Sequence, residues 1–102
     1  MAMEDRVLEA IYAAIDELNE MLAEEAKLRK SPETPLVDGP RQLDSLGMVN
    51  LVVTLESSLE NTFGLALNLA DALESDEMMD IFRSVGSLRD HIVGRLDRHG
   101  PD

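Results

Sequence analysis

The chain has 102 residues, 44% hydrophobic but only 3% aromatic, and its nine Lys and Arg against 21 Asp and Glu give a formal net charge of −12. That size and palette support one domain, 1–102, with a modest core of Leu, Ile, Val, Ala and Met, which suits helices better than a β-sandwich. The charge speaks against nucleic acid and anionic lipid as partners and for proteins that present basic patches, while the lack of cysteine removes disulfides, thiolate metal sites and a cysteine nucleophile.

The N-terminal "MAMEDRVLEA" is acidic from its fourth residue and lacks the basic start and apolar core of a signal peptide. No run of 18 apolar residues follows, so a cytoplasmic chain without membrane insertion is expected. From Asp5 to Leu28, the residues Leu8, Ile11, Ile15, Leu18 and Leu22 recur at steps of three or four, the spacing of an amphipathic helix. Asp16, Glu17, Glu20, Glu24 and Glu25 lie off that stripe, and Lys27, Arg29 and Lys30 are placed to meet the negative end of the helix dipole. "KSPETPLVDGPRQ" then holds three of the four prolines and reads as a structured loop.

A second helix is expected from Ser45 to about Asn61, and it carries two apolar stripes. Met48, Leu51, Val52, Leu55 and Leu59 follow the pattern of a core face. Leu46, Val49 and Val53 fall on roughly the opposite side, and at about 100° per residue both sets cannot face one core. The second stripe is therefore expected to be at least partly exposed, as a protein-docking strip, or else to lie under the long loop. Gly64 is the expected terminator.

The segment 65–84 is less regular and reads as a loop with one or two short helices, in which Met78 and Met79 act as core fillers. Ser84 looks like the N-cap of a last helix, "VGSLRDHIVGRL", with Val85, Leu88, Ile92 and Leu96 inward and with Gly86 and Gly94 weakening it. The tail, about 98–102, should fray. Between Arg41 and Arg83 there is no Lys or Arg, but there are eight acids: Asp44, Glu56, Glu60, Asp71, Glu74, Asp76, Glu77 and Asp80.

Catalytic patterns are almost absent. His91 reads as a surface helix residue and His99 as a tail residue. Acid pairs such as Asp76 and Glu77 lack the alternation and central glycine of an EF-hand, and no phosphate loop or nucleophile elbow occurs. The chain therefore reads as non-enzymatic, with no metal site. What remains is Ser45, whose hydroxyl at a helix start beside an aspartate suits either a cap or a place of modification.

"LDSLGMVNLVVTLE", Leu43 to Glu56, resembles the phosphopantetheine attachment motif of acyl carrier proteins. The family's Asp-Ser-Leu stands as Asp44, Ser45 and Leu46, followed by its aliphatics at Val49, Leu51, Val52 and Leu55 and by Glu56. "FG" at Phe63–Gly64 and "FRSVGSLRDHI" at Phe82–Ile92 resemble the end of the family's second helix and its last helix, so the likeness spans about Pro35 to Leu96. It implies an all-α, four-helix bundle with a long loop between helices one and two. It also implies a phosphoprotein on which a phosphopantetheinyl transferase, with Mg2+, moves 4'-phosphopantetheine from coenzyme A to Ser45, Asp44 orienting transferase and metal. The arm then holds an acyl or aminoacyl group as a thioester, loaded by a ligase and passed to a downstream acyltransferase or synthase. Leu46, Val49, Val53 and Glu56 would face those partners, and the carrier would be a monomer.

The departures from the family are informative. Gln42 stands where a glycine is usual, and Gly47 and Asn50 stand where carriers of fatty acid synthesis bear acids. This favours a specialised stand-alone carrier of a polyketide, surface-polysaccharide or aminoacyl pathway over a housekeeping one. Cargo size would depend on space among Val7, Leu8, Ile15, Val52 and Leu55. The rival from another class is a helical protein–protein adaptor, never modified, in which Ser45 is only a cap.

Overall fold

The computed structural model describes residues 2–24, 27–37, 45–64 and 67–99, with backbone alone at Ser45, Arg98 and His99. Among the described residues the regular elements are helical. They are α1 (Met3–Asn19), α2 (Ser45–Phe63), a 3-10 helix (Ala70–Glu74), α3 (Met78–Ile81) and α4 (Val85–His99). Pro35 and Ser84 form an isolated antiparallel bridge. No helix among them is long and apolar enough to cross a membrane. α3 is a single turn, so α1, α2 and α4 build most of the core, with α1 packed against both of the others.

α1 opens with Glu4 and Asp5 in its first turn, where carboxylates meet the positive end of the dipole. It buries Val7, Ala10, Ile11, Ala14, Ile15 and Leu18, while Leu8 is only half-buried. The helix stops at Asn19, nine residues short of the expected Leu28. The cause is the Asn19 side chain: its amide Nδ2 donates to the Leu28 carbonyl at 2.9 Å and its Oδ1 accepts the Leu28 N–H at 2.8 Å. This clasp turns the chain back and seats Leu28 in the core. Lys27, Arg29 and Lys30 consequently do not lie in the last turn of α1; Lys30 instead reaches Asp16 at 3.3 Å. Asn19→Ala should cost about 1–3 kcal/mol, because two partly buried backbone groups lose their partners. Asn19→Asp should cost less, since a carboxylate still accepts the Leu28 N–H. Urea unfolding of both variants checks the order.

The returning segment 27–37 packs against the start of α4 and satisfies its free N–H groups. Val85 N–H donates to the Thr34 carbonyl at 2.9 Å and Gly86 N–H to the Pro32 carbonyl at 2.8 Å. Leu36, fully buried, donates its N–H to the Arg83 carbonyl. Ser84 is the cap that its position suggests: its Oγ accepts the Ser87 N–H at 3.2 Å, and Ser87 Oγ accepts the Ser84 N–H at 3.0 Å.

Gly86 has a structural reason that helix propensity does not reveal. A Cβ there would lie 3.1 Å from the Pro32 carbonyl oxygen, the acceptor of Gly86's own N–H. Gly86→Ala, which would gain about 1 kcal/mol at an open helix position, is expected here to lose about that much. A raised urea midpoint would show that the loop does not press on α4.

α4 turns Val85, Leu88, Ile92 and Leu96 into the core, as their spacing predicts. It runs to His99, through the first two residues of the expected frayed tail; residues 100–102 lie outside the described residues. α2 ends at Gly64, whose φ of +70° and N–H bond to the Glu60 carbonyl make it a left-handed stop.

Candidate functional site

α2 is the element on which the sequence reading converges, and its two faces part as the 3.6-residue period requires. Met48, Leu51, Val52, Leu55 and Leu59 are at most 4% exposed, whereas Leu46, Val49 and Val53 are 69%, 46% and 59% exposed. The second stripe is exposed and stands apart from the core. Leu46 and Val53 are seven residues apart, two turns and about 10 Å along one line of the helix, with Val49 beside them.

Ser45 is the first residue of α2. It thus differs from Ser84, which precedes its helix and caps it. The backbone N–H groups of a first turn have no partner within the helix, and the dipole places about half a positive charge there. No acid occupies the first turn of α2. A helix start of this kind favours an anion over a cation. Asp44 and Gln42 lie outside the described residues.

The two neutral positions of the motif separate. Gly47 is buried at the start of the helix. Asn50 is half-buried at the edge of the strip.

Glu56 is half-buried, and its Oε2 accepts the Leu69 N–H at 2.6 Å. It thereby ties α2 to segment 67–74, whose Leu67, Leu69 and Ala72 are buried. From the other side, Arg95 of α4 donates to the Asn68 carbonyl at 3.0 Å and approaches the Asp71 carboxylate at 3.6 Å. These tethers left no mark in the sequence, because they join residues 13 to 27 positions apart. Six of the acids between Arg41 and Arg83 are exposed: Glu60, Asp71, Glu74, Asp76, Glu77 and Asp80.

The other candidates are placed as follows. Val7, Ile15, Val52 and Leu55 are at most 1% exposed and belong to the packed core, with Leu8 half-buried at its edge. An open cavity of about 470 Å³ lies elsewhere, lined by Lys27, Leu28, Arg29, Ser31, Glu33, Thr34 and Pro35. Met78 packs against the core, but Met79 is 56% exposed and is not the filler that its composition suggests; in a four-residue helix only one side meets the core. His91 is half-buried on α4 rather than a surface residue, and the His99 side chain lies outside the described residues.

Comparison of the chain with protein-family models, with curated proteins and with solved structures finds no match.

Proposed function

We propose that this chain is a carrier protein of specialised type, which holds an acyl group on a 4'-phosphopantetheine arm at Ser45 and presents it to pathway enzymes. The observation that carries the reading is a serine that follows an aspartate and opens a 19-residue helix, beside three uncovered aliphatic side chains. The finer fold that goes with it is an acyl-carrier bundle with a long connection between α1 and α2.

A phosphopantetheinyl transferase would act on Ser45. The serine oxygen bonds to phosphorus of the coenzyme A pyrophosphate, the nucleotide half departs, and the hydroxyl proton passes to the transferase. Asp44 orients that enzyme and its Mg2+. The dipole of α2 stabilises the resulting phosphodiester, with no first-turn carboxylate to oppose it. The arm supplies a terminal thiol on which the cargo travels as a thioester. Leu46, Val49 and Val53 then orient the loading ligase and the downstream acyltransferase or synthase over the helix start.

The test is the intact mass of the chain after incubation with coenzyme A, Mg2+ and a promiscuous transferase. A single phosphopantetheine increment supports the carrier, and no increment defeats it. The unmodified adaptor draws on the same exposed strip, but it predicts partner binding that needs no arm.

A further inference from the structure

We infer that the cavity lined by segment 27–35 binds a small organic monoanion, a carboxylate that carries a short apolar body. Binding there is noncovalent and does not require an arm on Ser45.

The cavity is open and about 470 Å³ in volume, within the range of small-molecule sites. Hydrogen bonds fix its frame. Asn19 holds Leu28 through two of them, and the Thr34 hydroxyl donates to the Arg29 carbonyl at 2.9 Å. The Pro32 and Thr34 carbonyls accept the Gly86 and Val85 N–H groups at the start of α4. The loop is therefore held in place from two directions and still leaves a hollow beside it. Such a site is largely ordered before its ligand arrives, which lowers the entropy lost on binding.

Three of the nine cations of this acidic chain stand at Lys27, Arg29 and Lys30. Lys30 is drawn to Asp16 at 3.3 Å, whereas Lys27 and Arg29 line the cavity. Lys27 meets the exposed Glu24 carboxylate at 3.4 Å, a pair that solvent screens, so it still adds positive charge to the lining. Among the described residues, no ion pair or side-chain hydrogen bond engages the Arg29 guanidinium. Glu33 also lines the cavity, but its carboxylate accepts the Ser31 hydroxyl at 2.7 Å and does not close on Arg29.

The lining also selects the class of anion. A guanidinium offers a planar fork that meets a carboxylate in two parallel hydrogen bonds. Leu28 and Pro35 supply apolar wall against which a short hydrocarbon body is removed from water. A phosphate dianion is the poorer ligand. Glu33 in the lining and the net charge of −12 each repel it about twice as strongly as they repel a monoanion. A cation is attracted by the chain at long range but meets Lys27 and Arg29 at the cavity itself.

The probe is hexanoate, titrated into the chain at constant ionic strength and followed through backbone amide NMR shifts. Saturable shifts centred on segment 27–35, with a millimolar Kd, are expected. Hexanol has the same apolar body without the charge, and it and inorganic phosphate should each bind at least about tenfold more weakly. Arg29→Gln, at an exposed position, should weaken hexanoate about tenfold and leave the urea midpoint unchanged. Hexanoate that shifts no residue of the loop overturns the inference, as does undiminished binding to Arg29→Gln. Hexanol that binds as well as hexanoate reduces the site to an apolar hollow and overturns it too. Phosphate that binds more tightly than hexanoate overturns the carboxylate class. Should Arg29→Gln fail to fold, the preference of the parent chain for hexanoate over hexanol and phosphate decides alone. Intact mass reads arm uptake at Ser45 separately, so failure of either reading leaves the other standing.

Discussion

Ser45→Ala is expected to abolish uptake of the arm completely while leaving the chain folded. The reason is that the serine oxygen is the atom that would form the bond to phosphorus, and no neighbouring side chain offers a substitute: Leu46, Gly47 and Met48 follow it. Even the full loss of a capping hydroxyl costs only about 0.5–2 kcal/mol, against about 5–15 kcal/mol of stability typical of a domain. Ser45 is moreover the first residue of α2 rather than the one before it. Intact mass and the urea midpoint, measured on the same sample, separate the two effects. A variant that still gains the increment would move the attachment elsewhere. A variant whose only defect is a lower midpoint, beside a parent that takes up no arm, would favour the adaptor.

Phe82→Ala should be the most damaging single substitution in the core, at about 3–5 kcal/mol. Phe82 heads the fully buried side chains in volume and is 0% exposed. It sits directly after α3 and donates its N–H to the Met78 carbonyl at 2.9 Å, so its ring leads this short turn into the core. Removing it leaves a cavity bounded by helices that cannot collapse without losing their mutual packing. Such a loss takes a large share of the stability of a domain of this size. The measurement is urea unfolding, with the midpoint expected to fall at constant m. A cost below about 1 kcal/mol would mean that α3 and the ring can leave the core with little penalty.

The distribution of acids around α2 bears on the carrier reading. Acidic residues are abundant between Arg41 and Arg83, and they suggest a wholly acidic recognition face. Burial and hydrogen bonding divide them. Glu56 is engaged with Leu69, and among the described residues of this stretch the exposed acids run from Glu60 to Asp80. The negative field of the exposed acids would steer a basic partner toward the chain at long range.

Much of this was legible in the order of residues because it depends on local period. The two faces of α2, the inward stripe of α4, the Ser84 cap and the Gly64 stop each involve residues within a few turns of one another. Helical geometry relates such neighbours directly, so spacing alone places them. The Asp-Ser-Leu at Asp44 to Leu46 belongs to the same class, since a short motif is complete in itself.

What spacing could not supply was decided by contacts between distant parts of the chain. α1 could have continued toward Leu28, but the Asn19 clasp on Leu28 ends it. Gly86 looked like a weakness until Pro32 was packed against it. Glu56 looked like one more exposed acid until Leu69 N–H came within 2.6 Å. The physical reason is common to all three. Periodicity records which side of a helix a residue occupies, but a hydrogen-bond partner or a steric neighbour from another segment exists only once the helices and loops have packed. The sequence by itself therefore determined an all-α chain with a serine at the start of a two-faced helix. Tertiary packing alone decided where α1 ends, which glycines are obligatory and which acid is spent inside the fold.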